Sequence, residues 1–431
     1  MALTKLAVRN LRRNRRRTAL TLGALVFGVM AMVGVRGFIN GMQKMLMENV
    51  VYGALGPLQV HKKGYQANVL TSPLTLDMAD SPELRQKMLA VPHVKAVAAR
   101  IDFGSMLSMP DKKPPPDDGS PQPESDIGKV SFLAMTGVEP AEEMKVTPRR
   151  FSFIDKGRTF PPTDAAEIVL NADFAKGMEA KVHDASSPLP PVEQMAALMG
   201  PDRDGALNGE NVVLGGTFPS FQPGPKGVGM VPLWLAQRML RMEGRVTTYA
   251  VAVDGLDHLE PIRDQLQATL GPDYEVLTWS EIFPFLKSMM STQDFIFSIL
   301  FGVILSVVLL GIVNAMLMTV LERTREIGTM LAVGMKRRQV VSMFLLEGAV
   351  QGVVGGVAGM LLGALLVHVM GRVGINLPAP GAQVSAILRP FVPLSFMIGV
   401  AVGAPLGASI ACLWPAWRAS RLRPVEALQS V

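Results

Sequence analysis

Cysteine is almost absent from this chain of 431 residues: Cys412 is the only one. A single cysteine excludes an intrachain disulfide framework and any cysteine-based metal site. Histidine is sparse as well, with five residues scattered at 61, 93, 183, 258 and 368. There is no H-E-x-x-H, no G-x-S-x-G elbow and no G-x-x-x-x-G-K-[ST] phosphate loop. The nearest fragment of a phosphate loop, Lys287-Ser288, follows Phe285-Leu286, where a glycine is required. No catalytic site assembles from these residues. Energy-requiring work by this protein would draw on another chain.

What the sequence has instead is four long apolar runs. They cover Thr18–Ile39, Phe295–Leu321, 349–370 and 392–414. Each exceeds the ~20 residues that cross a ~30 Å hydrocarbon core, and in lipid such runs must be helical to satisfy their own backbone. The implied division is a basic amphipathic arm 1–17, span one 18–39, a large domain 40–292 and span two 293–321. A link 322–348, span three 349–370, a loop 371–391, span four 392–414 and a tail 415–431 follow. The predicted class is an α-helical membrane protein with four spans and a large extracytoplasmic α+β domain.

Charge assigns the sides. Residues 40–292 carry 24 Lys and Arg against 31 Asp and Glu, while the remainder carries 18 against 5. The basic clusters are Lys5, Arg9, Arg12, Arg13, Arg15, Arg16 and Arg17 in the arm, and Arg323, Arg325, Lys336, Arg337 and Arg338 in the link. Arg418, Arg421 and Arg423 form a third, in the tail. Short basic segments stay cytoplasmic, so both termini and the link are expected inside, and the large domain and the loop 371–391 outside. A basic arm abutting a span argues against nucleic-acid binding. The first run is too long for a signal-peptide core, and Arg36-Gly37-Phe38 stands where a small-residue cleavage site would be. It is expected to remain as an anchor, with Arg36 snorkelling to the outer interface.

Two similar pieces bracket the large domain. Ser81-Pro82-Glu83 starts a helix with Leu84, Met88 and Leu89 on one side, followed by a strand from Ala96 to Ile101. Later, Thr247–Val253 alternates as a strand, Asp257 caps a helix carrying Ile262, Leu266 and Leu270, and Tyr274–Trp279 is the next strand. A single α/β layer closed by both ends of the domain is expected. The middle, 130–240, has the short strands Lys129–Gly137, Glu167–Leu170 and Val212–Thr217 and reads as a β-rich insertion. The stretch Asp111–Asp126 (DKKPPPDDGSPQPESD) cannot build a core and reads as a solvated loop, with contact to an outside partner as the alternative. Residues 185–191 are similar.

In the membrane half, Gly352 and Gly356, and Gly355, Gly359 and Gly363, repeat every four residues and would let a second helix approach closely on one face. His368 reads as a packed or interfacial residue rather than a proton relay, and Asn314 as a bond to a neighbouring helix. The link LERTREIGTMLAVGMKRRQVVSMFLLE holds a short amphipathic helix with Ile327, Met330, Leu331 and Val333 on its apolar side, ended by Gly334. Such a helix either lies in the headgroups or is presented to a soluble partner.

The run ERTREIG…AVGMKRRQV…LLEG, the start AVRNLRRNRRRTALT and the tail PAWRASRLRPVEAL together resemble the FtsX-like permease family of ABC transporters. Gly56-Pro57-Leu58-Gln59-Val60-His61-Lys62-Lys63-Gly64-Tyr65 is similar to the lipoprotein-releasing branch, and the layout to MacB-like permeases. The resemblance covers the whole chain. It implies an inner-membrane location, two permease subunits, identical or paralogous, and a separate cytosolic ATPase dimer that binds the ATP and Mg. It also implies an outside domain with a porter part and a β-rich part, and a periplasmic carrier or adaptor as a further partner. No cofactor is expected on this chain. ATPase coupling would fall on Arg325, Glu326, Ile327, Gly328, Met330, Leu331, Gly334 and Met335. A lipid lifted from the outer leaflet would pass Phe38, Met42, Met45, Phe283, Phe285 and Met289. Lipoprotein release, efflux from the periplasm and control of wall hydrolases are all uses of the implied ATP-driven motion.

Overall fold

The computed structural model describes residues 15–69, 71, 73–111, 128–152, 156–160, 165–183, 195–218, 227–256, 258–377 and 386–421. The basic arm before Arg15, the proline-rich stretch after Asp111, residues 185–191, Asp257 and the tail beyond Arg421 lie outside them. The chain divides into a membrane unit (1–45, 288–375 and 387–431) and an outer unit (46–287 and 376–386).

Among the described residues, four helices are long and apolar enough to cross a membrane. They are α1 (Arg15–Val50), α6 (Pro284–Glu322), α8 (Arg337–Val373) and α9 (Leu394–Ser420). All four outlast the apolar runs that mark them in the sequence, α8 starting at Arg337 and α9 ending at Ser420. The first run ends at Ile39, but α1 continues to Val50, and α6 begins at Pro284 rather than 293. At 1.5 Å per residue, the 36 and 39 residues make helices of about 54 and 58 Å, well beyond a ~30 Å core. Hydropathy marks only the part in lipid. The polar continuation through Gln43, Lys44 and Glu48 still keeps helical backbone bonds.

The outer unit is built on one ten-stranded sheet. Its strands are β1 (Leu58–Lys62), β2 (Val94–Ser108), β3 (Val130–Val138), β4 (Lys156–Gly157) and β5 (Glu167–Asn171). They continue as β6 (Met195–Pro201), β7 (Leu207–Phe218), β8 (Val228–Pro232), β9 (Thr248–Val253) and β10 (Tyr274–Thr278). The order is β10-β1-β9-β2-β3-β8-β5-β7-β4, with β6 joining β2 and β7. Helices α2 (Pro82–Leu89), α3 (Pro140–Val146), α4 (Leu233–Leu240) and α5 (Leu259–Leu270) cover it.

The α/β layer has its two covered faces written in the alternation of β2. Val97, Ala99 and Ile101 share the main core with Met88 of α2 and Ile262 and Leu266 of α5. Ala96 and Ala98, with Ala250 and Ala252 of β9, meet Val146 of α3 on the opposite face. The alanines let α3 sit close. Strands buried on both faces read as near-continuous apolar runs, as Ala96–Ala99 does here before the buried Arg100.

The expected β-rich insertion is present, and it is continuous with the α/β layer. The strand expected to end at Ile101 runs on as β2 to Ser108, because Phe103 and Leu107 continue the buried alternation. Its first half pairs with β9, and its second half with β3 and β6. The pairings β2-β3-β8-β5-β7-β6-β2 close on themselves. The β-rich part is therefore a closed ring of six strands that shares β2 with the α/β layer. On α5, the N-cap position is held by His258, which makes no side-chain cap hydrogen bond.

Candidate coupling site and membrane seam

Between α6 and α8 lies the short helix α7 (Thr324–Ala332). It ends in a paired closure. Gly334 N–H donates to the carbonyl of Leu331 at 3.1 Å, and Met335 N–H to that of Met330 at 3.0 Å. Gly334 sits at φ +100°, the backbone that this closure demands and that a side chain opposes. Lys336 N–H is then capped by Gln339 Oε1 at 2.9 Å, and α8 begins.

The apolar side of α7 faces its own subunit. Ile327 is fully buried and Gly328 is buried. Met330, Leu331 and Met335 are half-buried against a cluster that includes Ile312, Met316 and Val320 of α6, Val340 and Phe344 of α8, and Ala416 of α9. Arg323 and Glu326 pair at 3.5 Å. The exposed surface is formed by Arg325, Thr329, Ala332, Val333 and Gly334, with Val333 84% exposed. Ile327, with Met330 and Leu331 half-buried beside it, seats α7, and Arg325 and Val333 face outward.

The glycines of α8 serve two neighbours rather than one face. A Cβ added to Gly355, Gly359 or Gly363 would come within 2.5 Å of Leu25 Cδ2, 2.6 Å of the Val26 carbonyl oxygen and 2.8 Å of Val33 Cβ, all on α1. One added to Gly352 or Gly356 would come within 2.6 Å of Pro405 Cα and 2.7 Å of Ala404 Cβ, on α9. The rows are adjacent on a 3.6-residue helix, so one helix is held close to two others. Asn314 and His368 are exposed on the surface of this single subunit.

The lipid-access residues fall in both units. Phe38, Met42, Met45 and Met289 are half-buried in the membrane unit. In the outer unit, Phe283 is half-buried and Phe285 is 64% exposed, with ring centroids 6.0 Å apart.

Sequence reasoning missed a clamp inside the outer unit. The last residues of α1 run into a π-helical turn, Val51–Leu55. Arg149 donates to Asn49 Oδ1 at 2.9 Å and to Glu48 Oε2 at 2.5 Å. Arg150 Nε donates to the Gly53 carbonyl at 3.3 Å, and Arg100 Nη1 to the Leu55 carbonyl at 2.8 Å. Arg100 also makes a bidentate pair with Glu143 at 2.8 and 2.5 Å, and Thr147 Oγ1 donates to the same carboxylate at 2.5 Å. Burial alone would raise the Glu143 carboxyl. The facing Arg100 and Arg150 guanidiniums and the hydrogen bonds from Arg100 and Thr147 more than offset this and hold it below the usual carboxylate range. The available signal was Glu142-Glu143 followed by Arg149-Arg150, but nothing in that spacing says what the arginines reach. Arg36, expected to snorkel to the interface, instead donates to Asp294 Oδ1 of α6 at 2.6 Å.

A family model described as the MacB-like periplasmic core domain matches residues 18–269, and one described as the FtsX-like permease C-terminal matches 298–424. The macrolide export ATP-binding/permease protein MacB of Hyphomonas neptunium is 29% identical over 212 residues, covering 47% of this chain and 30% of that protein. The lipoprotein-releasing system transmembrane protein LolC of Xylella fastidiosa is 24% identical over 212 residues, covering 47% of this chain and 51% of that protein. The uncharacterized ABC transporter permease YvrN of Bacillus subtilis is 32% identical over 203 residues, covering 42% and 44%. The chain thus spans between about a third and a half of the length of these curated relatives.

Proposed function

Since this chain belongs to the FtsX-like permease family of ABC transporters and carries a MacB-like periplasmic core domain, we propose that it carries ATP-driven motion across the bacterial inner membrane to release an amphiphile from the outer leaflet, a lipoprotein in the first instance. The chain is the membrane subunit. A separate cytosolic ATPase dimer hydrolyses ATP. A second permease subunit, identical or paralogous, completes the assembly, and a periplasmic carrier or adaptor receives the cargo.

The observation that carries this reading is α7. A short helix is fixed between two spans by its own apolar side and turns Arg325, Thr329 and Val333 outward. A headgroup anchor would turn the apolar side outward. A protein-docking helix needs a rigid seat and a mixed apolar and basic face, which is what α7 has. Motion of the ATPase would then move α7 together with α6 and α8, whose ends it joins. Within the outer unit, Glu48 and Asn49 at the end of α1 are gripped by Arg149.

The test is co-purification with the ATPase. Val333→Asp puts a charge at the docking face and should reduce ATPase recovery about a hundredfold, while the chain inserts and stays folded, because a desolvated unpaired charge costs several kcal/mol. Recovery of the ATPase at the level of the unmodified chain, with unchanged ATP hydrolysis, would remove the coupling assignment.

Cargo has its own test. A photoactivatable lipopeptide should label Phe38–Met47 or Phe283–Met290. The second reading is export of a small amphiphile, which the MacB-like model over 18–269 favours. Labelling by a hydrophobic macrocyclic probe in place of the lipopeptide would select it.

A further inference from the structure

Inside the membrane unit, α1, α6 and α9 enclose a groove of about 740 Å³. Its walls are apolar, with Val29 of α1, Phe301 and Val308 of α6, and Val400 and Ala404 of α9. Along α6 it reaches from Asp294 to Ile312, about 27 Å of helix, close to the ~30 Å of a hydrocarbon core. Among the described residues, the only charged ones lining it are Arg36 and Asp294. They pair at 2.6 Å, Gln43 Nε2 reaches the same Asp294 oxygen at 3.4 Å, and the Arg36 guanidinium stands 5.2 Å from the Phe297 ring centre.

Two glycines in its wall have no packing reason to be glycine. A Cβ added to Gly399 or Gly403 would meet no atom within 4 Å, unlike one added to Gly352 or Gly356 across the seam. Their missing side chains widen the groove.

We propose that this groove binds one zwitterionic glycerophospholipid of the surrounding bilayer, a phosphatidylethanolamine. An acyl chain lies along Phe301, Val308 and Gly403, and the headgroup lies on the ion pair. Arg36 keeps donors beyond the one spent on Asp294 and takes the phosphate. Asp294 keeps acceptor capacity and takes the ammonium. A cation and an anion side by side at one end of an apolar trough complement a dipolar head. A purely anionic head would set its phosphate near the Asp294 carboxylate with no ammonium to offset it. A choline head carries a cation that cannot donate a hydrogen bond. The site lies within one unit and does not depend on which cargo the transporter moves.

The experiment is native mass spectrometry of the detergent-purified chain, with its partners, supplied with equal amounts of phosphatidylethanolamine, phosphatidylglycerol and phosphatidylcholine. One phosphatidylethanolamine should be retained about tenfold over the other two, the scale of one charge-assisted hydrogen bond. Asp294→Asn should still hold a lipid but bring the three within about twofold. Gly403→Leu, which grows into open space, should lose the lipid while the melting temperature holds. Equal retention of the three lipids by the unmodified chain, or unchanged retention in Gly403→Leu, would overturn the proposal. So would a disulfide between two copies carrying Phe301→Cys in a Cys412→Ala background, which would put a second permease over the groove.

Discussion

His61 is 1% exposed, stacked on Tyr65 with ring centroids 4.5 Å apart. Its Nε2 lies 3.1 Å from Gln59 Oε1 and its Nδ1 3.2 Å from Thr248 Oγ1. Burial pulls its pKa down to about 4, so it is neutral in the fold. An unfolded histidine titrates near 6.5. Above that pH both states are neutral and His61 adds no pH dependence. As the pH falls from 6.5 towards 4, the unfolded chain takes up a proton that the folded chain refuses. Stability should fall by about 3 kcal/mol across that window and level off below it. Denaturant unfolding of the full chain, followed by tryptophan emission with Trp414 and Trp417 replaced by Phe so that Trp234 and Trp279 report, reads this slope. His61→Gln should flatten it. A second residue-scale outcome concerns Gly334 at φ +100°. Gly334→Val places a β-branched side chain where one is strained, at a cost of about 1–3 kcal/mol. The turn should loosen, with faster hydrogen exchange at Met335 and ATP hydrolysis uncoupled from cargo.

At the scale of elements, α7 and α8 separate two kinds of substitution. Met330→Asp strikes the seat of α7 and should lower the stability of the membrane unit, whereas Val333→Asp should not. Scanning calorimetry of both variants distinguishes a seat from a docking face. On α8, Gly359→Leu must push α1 away, since even a Cβ would reach 2.6 Å from the Val26 carbonyl. It should lower yield and melting temperature by more than the same change at Gly399, where space is open. Elements are also where the sequence was most legible. Four spans, the stop at Gly334 and the strand–helix–strand pieces follow from hydropathy, turn chemistry and period. Three things were not legible. The six-stranded ring depends on β2 pairing with different strands along its length, a long-range choice that alternation does not encode. The two glycine rows carry the same spacing whether they meet one helix or two. The clamp joins Arg149 to Glu48 and Arg100 to Glu143 across long sequence separations, and single arginines do not announce their partners.

For the whole molecule, the clamp and the charge division give the furthest-reaching outcomes. Glu143 is fully buried between Arg100 and Arg150. Removing its charge strands a buried guanidinium, which costs about 3–5 kcal/mol. Glu143→Gln should therefore release the turn Val51–Leu55, leaving the ATPase bound and active but its hydrolysis no longer stimulated by cargo. Loss of ATPase binding in that variant would instead mark a general folding defect.

Sidedness rests on a different term, the sign of charge around the spans. The outer unit is acidic and the segments flanking the membrane on the other side are basic, with Arg337 and Arg338 exposed at the start of α8. Translocating such short basic segments is unfavourable, so the link should stay in the cytosol and the acidic unit should cross. Asp204 is exposed in a turn of the outer unit, and Arg338 is exposed beside α7. Cys412 is buried and gives no background labelling. With Asp204→Cys, a membrane-impermeant maleimide should react in intact spheroplasts. With Arg338→Cys it should react only after lysis. The reverse pattern would place the MacB-like domain in the cytosol, and with it would fall both the ATPase docking at α7 and the release of cargo from the outer leaflet.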